Sequence, residues 1–464
     1  MIGGVLLALT VATPSAQAQA SFERGLTFLY AYDRAGAAAA FAGALHADPH
    51  LAIAAWGQAL AAASDLNHPL TPDRFVAAQS ASLHAVALEP FATPQQRAYI
   101  DAVALRYKGS WEARSADEAR YLAATDRLVA QWPLDDDAAV IEAEALLEDR
   151  AASNAYGQKA LALVQTVLRR DPGQLMANHL CIHIYDGMAD RTPAIACADR
   201  LNALQFVPNE EHLAHMPAHT YSEVGSYAKA VNASDRAWQL REVWNNDAPP
   251  YSLEYAIHDA EVGYAAAMML ENESAAQLWG DRFGQTIGNS LELTTLARFG
   301  KWSQIIRLSS QPDPHKAFAL GLAYAHIGDL KSADAQLALL RNNFDESDFA
   351  NILQAVDEER RGHLDAAAAA LRRAADLQKL MYTGEELPLF PAEPALGALY
   401  DRAGRYTEAR DVLEKALALH PDDPRALYAL LYACGQIGDG PCSTAASQEF
   451  HAVWHGPPPN LTDL

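Results

Sequence analysis

Five times along this chain an Ala- and Leu-rich stretch runs for ten to fifteen residues, breaks at a short polar turn, and resumes at similar length. The copies are FLYAYDRAGAAAAFAGALHADP (28–49), HMPAHTYSEVGSYAKAVNASDRAW (215–238), AFALGLAYAHIGDLKSADAQLALL (317–340), EERRGHLDAAAAALRRAADL (358–377) and PAEPALGALYDRAGRYTEARDVLEKALALHPDD (391–423). In the last copy small residues sit where two helices approach closely, Gly404 marks the turn and Pro421 closes the second helix. Alternating strand pattern is absent, so the expectation is an all-α chain built from stacked helical hairpins. A repeat array also accounts for 464 residues without a division into several unrelated domains.

Charge removes several function classes. Thirty-five Lys and Arg stand against 58 Asp and Glu, a formal charge of −23, which repels nucleic acid and anionic headgroups. Beyond residues 2–12 the apolar stretches are interrupted by charged or amide residues well short of the ~18 needed to span a bilayer, so no membrane insertion is expected. The N-terminus reads as an export signal over residues 1–20. An apolar run at 2–12 is followed by Pro14 and by small residues that place cleavage after Ala18 or Ala20. No Lys or Arg precedes that run, and the competing reading is a first buried helix of the array. Export implies a periplasmic or secreted protein with paired cysteines, against the alternative of four free buried thiols. Cys434 and Cys442 flank the loop GQIGDGP, close enough for a staple.

The turn residues carry a resemblance. Gly225, Tyr227 and Ala230, then Gly404, Tyr406 and Ala409, and Gly328-Asp329 with Ala333 resemble the signature of tetratricopeptide repeats. That family stacks helix-turn-helix units into a right-handed superhelix whose concave groove binds peptides or partners, so the resemblance implies a solenoid over 21–454 with a tail at 455–464. The segments AAWGQALA (54–61), NHLCIHIYD (178–186), HLAHMPAHTYSEVGSYAKAV (212–231) and YAIHDAEVGYAAAMMLE (255–271) look like a bacterial exported group in which His-x-x-x-His is followed by His-Met-Pro-x-His. No activity comes with that resemblance. In the repeat frame Cys181 and Cys197 fall at places that pack together, which proposes a second disulfide.

Six of the sixteen histidines gather between 179 and 258. His179 and His183 are four apart, as are His215 and His219, so each pair leaves one helix face together. The pairs are offset by 36 residues, close to one repeat. The frame puts His179 and His183, then His212, His215 and His219, then His258 and Glu261 at groove-lining places of three successive units, a His-rich groove over 175–262. Imidazole suits Zn, Cu, Ni and Fe, so the expectation is a transition-metal site, Zn or Cu, on His179, His183, His215, His219 and His258, with His212 and Glu261 as additional ligands. The competing reading is a set of polar core residues hydrogen-bonded to backbone or to a bound peptide.

Neither HLCIH nor HMPAH has Glu after its first His, so the zincin base is missing. Glu223 and Glu261 are the candidate catalytic carboxylates, with Asp186 beside His183, and all three serve equally as partners that fix an imidazole tautomer. Pro217 ends or kinks the helix inside HMPAH. Glu385 and Glu386 could reach the groove or stay in a solvated loop. Trp56, Tyr185, Tyr221, Tyr251 and Tyr255 read mainly as packing. Phosphate loops, dinucleotide fingerprints, Gly-x-Ser-x-Gly elbows and Cys-x-x-Cys pairs are absent. Three functions remain: metal binding with an unknown small molecule or peptide in the groove, a metal-dependent hydrolase or oxidoreductase, and a metal-free peptide-binding scaffold.

Overall fold

The computed structural model describes residues 11, 13–149, 154–186, 188–242, 250–308, 313–344, 347–382, 387–456 and 459. Most of the apolar leader at 2–12, the loop centre at 243–249, Glu385 and Glu386, the side chain of Tyr251 and the end of the tail lie outside the described residues. Among the described residues every regular element is a helix and no strand occurs. None of these helices is long and apolar enough to cross a membrane.

The helices begin and end where local chemistry dictates. Asp135, Asp329 and Asp439 each stand at an N-cap and accept a hydrogen bond from the backbone N–H three residues on, an arrangement worth about 1 kcal/mol apiece. Thr71 and Thr93 cap helices whose first residue is proline, Pro72 and Pro94. At the other end, Gly225, Gly328, Gly362, Gly404 and Gly438 adopt positive φ and turn the chain into the next helix. The expected turn at Gly404 is present, with φ of 75°.

The chain forms two compact units, Met1–Pro217 with Arg236–Ser252, and Ala218–Asp235 with Leu253–Leu464. In the first, Ala16–Tyr30, Arg34–Ala47, Ala52–Ala61, Pro72–Leu88, Pro94–Arg106, Arg114–Gln131, Asp136–Glu148, Asn154–Arg170 and Leu175–Asp186 pack each on the next. The first helix starts at Ala16, capped by Ser15, and buries Ala18, so both expected cleavage points fall inside it. Aromatic rings pack within the core of this unit, with Phe22 against Phe41 at 5.5 Å and Trp56 edge-on to Tyr99 at 5.1 Å between ring centres. Helix Ala16–Tyr30 also packs against Leu175–Asp186, far along the sequence. That return contact builds the site described below.

In the second unit the helices from Ala317–Ile327 through Gly440–Val453 continue the hairpin pattern. Tyr227, Ala265, Met269 and Leu387 form one of its apolar clusters. Small residues permit the close approach: a Cβ at Gly397 would run into Leu413 on the facing helix. Cys181 is bonded to Cys197 in the first unit and Cys434 to Cys442 in the second.

Candidate metal centre

Helix Leu175–Asp186 starts where Gln174, behind the Pro172-Gly173 turn, accepts the Ala177 N–H through its side chain at 2.6 Å. Its 3.6-residue period then sends His179 and His183 out of one face, and their Nε2 atoms stand 3.0 Å apart. Helix Glu211–His215 brings a third imidazole: His212 Nε2 lies 3.1 Å from His179 Nε2. His179 and His212 are buried and His183 is half-buried. The three ligand atoms all lie within 4.8 Å of one another.

The backbone fixes the proton on the central ring. His179 Nδ1 is 2.9 Å from the carbonyl oxygen of Tyr30, which can only accept, so Nδ1 carries a proton, and when the ring is neutral its Nε2 lone pair faces His183 and His212. A ligand imidazole is held in this way by a backbone carbonyl behind it. With metal–nitrogen bonds of about 2.0–2.1 Å, nitrogens in a tetrahedral set stand about 3.3–3.4 Å apart. The observed 3.0 and 3.1 Å spacings lie close to that edge length. Three nitrogens leave one position of a four-coordinate ion for an external ligand.

Tyr32 closes one side of the cluster. Its ring centre is 4.5 Å from that of His179, 5.5 Å from His212 and 6.3 Å from His183, nearly parallel to the last two. Near Tyr32 lies a buried ionic group. The Arg34 guanidinium sits 5.6 Å from the Tyr32 ring centre and pairs with Asp65 at 2.7 Å. Burial alone would raise the Asp65 carboxyl, but Arg34 and His68 hold it well below the usual carboxylate range. Glu144, 3.9 Å from Arg34, is pushed up to about 8 by burial and by the charges of Glu148 and Asp65. Burial and Glu144 raise the Tyr32 phenol as well.

The remaining sequence candidates fall differently from the single five-histidine set. His212, expected as an additional ligand, is the third member of the triad. His215 is buried with its ring centre 6.5 Å from that of His212. The helix breaks at Pro217, so His215 ends one helical segment and His219 lies on the next, Pro217–Glu223. In the second unit His219 and His258 pair with Nε2 atoms 3.2 Å apart and rings stacked at 5.0 Å. Glu223, buried, and Glu261, half-buried on helix Pro250–Met269, belong to that unit too, whereas Asp186 is buried in the first. Sequence reasoning missed Tyr30 and Tyr32, because their role depends on the return of the first helix onto Leu175–Asp186; the signal available was an aromatic pair at the end of the first repeat helix.

Residues 392–433 match the tetratricopeptide repeat family. No curated protein matches the chain. Among solved structures it is similar to a Rap protein complexed with competence and sporulation factor, at 12% identity over 78% of this chain and 88% of that one, with a TM-score of 0.36. It is also similar to the APC/C hetero-tetramer Cut9-Hcn1, at 14% identity over 94% of each chain and a TM-score of 0.32. The chain is thus an all-α, tetratricopeptide-like helical-repeat protein, with the repeat identified at 392–433.

Proposed function

We propose that this is an exported protein that holds a transition-metal ion, zinc or copper, on His179, His183 and His212. One observation carries the reading: three Nε2 atoms meet around a ring whose other nitrogen is committed to the Tyr30 carbonyl. Without a cation, the single lone pair on His179 Nε2 must serve two N–H donors or face other lone pairs, an arrangement that costs free energy in a buried site. A metal ion satisfies all three nitrogens at once. Export is supported by the apolar run at 2–12 and by two disulfides.

A second reading, a metal-dependent hydrolase or oxidoreductase, is favoured by the position that three nitrogen ligands leave for water or substrate. The test of the first reading is titration of metal-stripped protein with Zn(II) and Cu(II) against a chromophoric chelator. One equivalent should bind tightly, and His183→Ala and His212→Ala should each weaken binding more than the 10- to 100-fold that loss of an outer-shell partner brings. Absence of binding, or wild-type affinity in both variants, would sink the metal reading and leave a peptide-binding scaffold.

A further inference from the structure

Several hairpin turns among the described residues share one construction. A backbone N–H just past the helix reaches back to the carbonyl five residues earlier, and the residue before that N–H takes positive φ. Asp329, His363, Arg405 and Asp439 donate in this way to Tyr324, Glu358, Tyr400 and Cys434, at 2.8–3.0 Å, and the residues at positive φ are Gly328, Gly362, Gly404 and Gly438. The first hairpin has the same bond, Asp33 N–H to Phe28 carbonyl at 2.9 Å. Its left-handed residue is Tyr32, with φ of 57°. A bulky L residue is disfavoured there, and glycine, used at the four turns just named, is the undemanding choice, although Asn209, Glu271 and Asp422 also take positive φ.

The same turn touches both helices that bear the triad. Tyr30 accepts from His179, the Tyr32 ring packs on all three imidazoles, and the Asp33 carboxylate accepts from Asn209, three residues before His212. The phenol hydroxyl of Tyr32 is buried without a hydrogen-bond partner among the described residues, so the ring rather than the hydroxyl accounts for the tyrosine. Strain of this kind persists where the surroundings over-determine it, and an observed outlier points toward function.

We propose that Tyr32 is a positioning residue of the metal centre, its ring the wall that holds the three imidazoles in the orientation a metal ion requires. The inference rests on the triad being a metal site. It assigns the left-handed turn at Tyr32 to ligand geometry, since beside the Arg34 guanidinium within the hairpin the ring contacts all three imidazoles outside it.

The test compares Tyr32→Phe, Tyr32→Gly and Tyr32→Leu with Phe22→Ala, a core truncation in the same unit, each checked for folding by circular dichroism. Zn(II) affinity by chelator competition and the visible spectrum of the Co(II) form are the readouts. Tyr32→Phe should match the wild type. Tyr32→Gly and Tyr32→Leu should lose about 10- to 100-fold in Zn(II) affinity and shift the Co(II) bands. Phe22→Ala should lower the thermal midpoint of the metal-free protein and leave the affinity of the folded protein unchanged. Should Tyr32→Gly fail to fold, Tyr32→Leu, which keeps apolar volume, reads the same loss. Wild-type binding with Tyr32→Leu equal to it would overturn the positioning role alone; a wild type that binds neither Zn(II) nor Co(II) would overturn the metal reading and this inference together.

Discussion

Asp401 stands at the end of helix Ala392–Arg402, buried, with neither carboxylate oxygen hydrogen-bonded among the described residues. Burial pushes its carboxyl up to about 7, opposed in part by Arg402, whose guanidinium is turned to Glu359 at 2.7 and 2.8 Å. In the unfolded chain the same group ionises near pH 3.9. Between these values the unfolded state loses its proton first, so this group removes stability as pH rises from about 4 to about 7. Asp401→Asn should therefore raise stability at pH 8 by about 1–3 kcal/mol, the usual cost of a buried unpaired polar group, and the gain should vanish at pH 4. Urea denaturation at the two pH values checks this; equal midpoints for variant and wild type at pH 8 would contradict it.

Hairpin turns set the packing of the elements, and two glycines separate what a turn needs from what its neighbours need. Gly404 has positive φ with open space around its Cα, so Gly404→Ala should cost about 1 kcal/mol in left-handed strain. Gly225 has the same conformation, but a Cβ there would run into the carbonyl oxygen of Pro421 in the same unit. Gly225→Ala should therefore cost about 2–4 kcal/mol, strain and overpacking together, and thermal denaturation of the two variants should rank them in that order. The hairpins themselves were legible from periodicity and from Gly404, Gly225 and Pro421. Their register was less so. The pentapeptide Tyr-Asp-Arg-Ala-Gly occurs at 32–36 and again at 400–404. At 400–404 the first residues are helical and Gly404 makes the turn. At 32–36 Tyr32 makes the turn, Asp33 caps the next helix and Gly36 lies inside it. Identical local sequence cannot decide between these; packing of Tyr32 on residues some 150 positions away does.

For the whole chain, hydrophobic periodicity and the recurring turns placed it correctly as an all-helical repeat protein, and the described elements are helices. The histidine pattern was legible too, because spacing of four on a helix is a geometric statement, and His179 and His183 meet as that spacing requires. What spacing could not give is the third partner. His212 joins them through the packing of separate helices, and the carbonyl of Tyr30 joins them because the first helix returns to the ninth. Both contacts are tertiary, and no repeat frame encodes them. On the reading proposed above, this return contact builds a site for one ion. Metal content, measured by mass spectrometry on protein purified from its native source without chelators or chelating resin, tests it most directly. At least one zinc or copper per chain is expected in the wild type, and its loss in His179→Ala; a wild-type protein carrying neither metal, or a His179→Ala protein carrying as much, would refute the metal site.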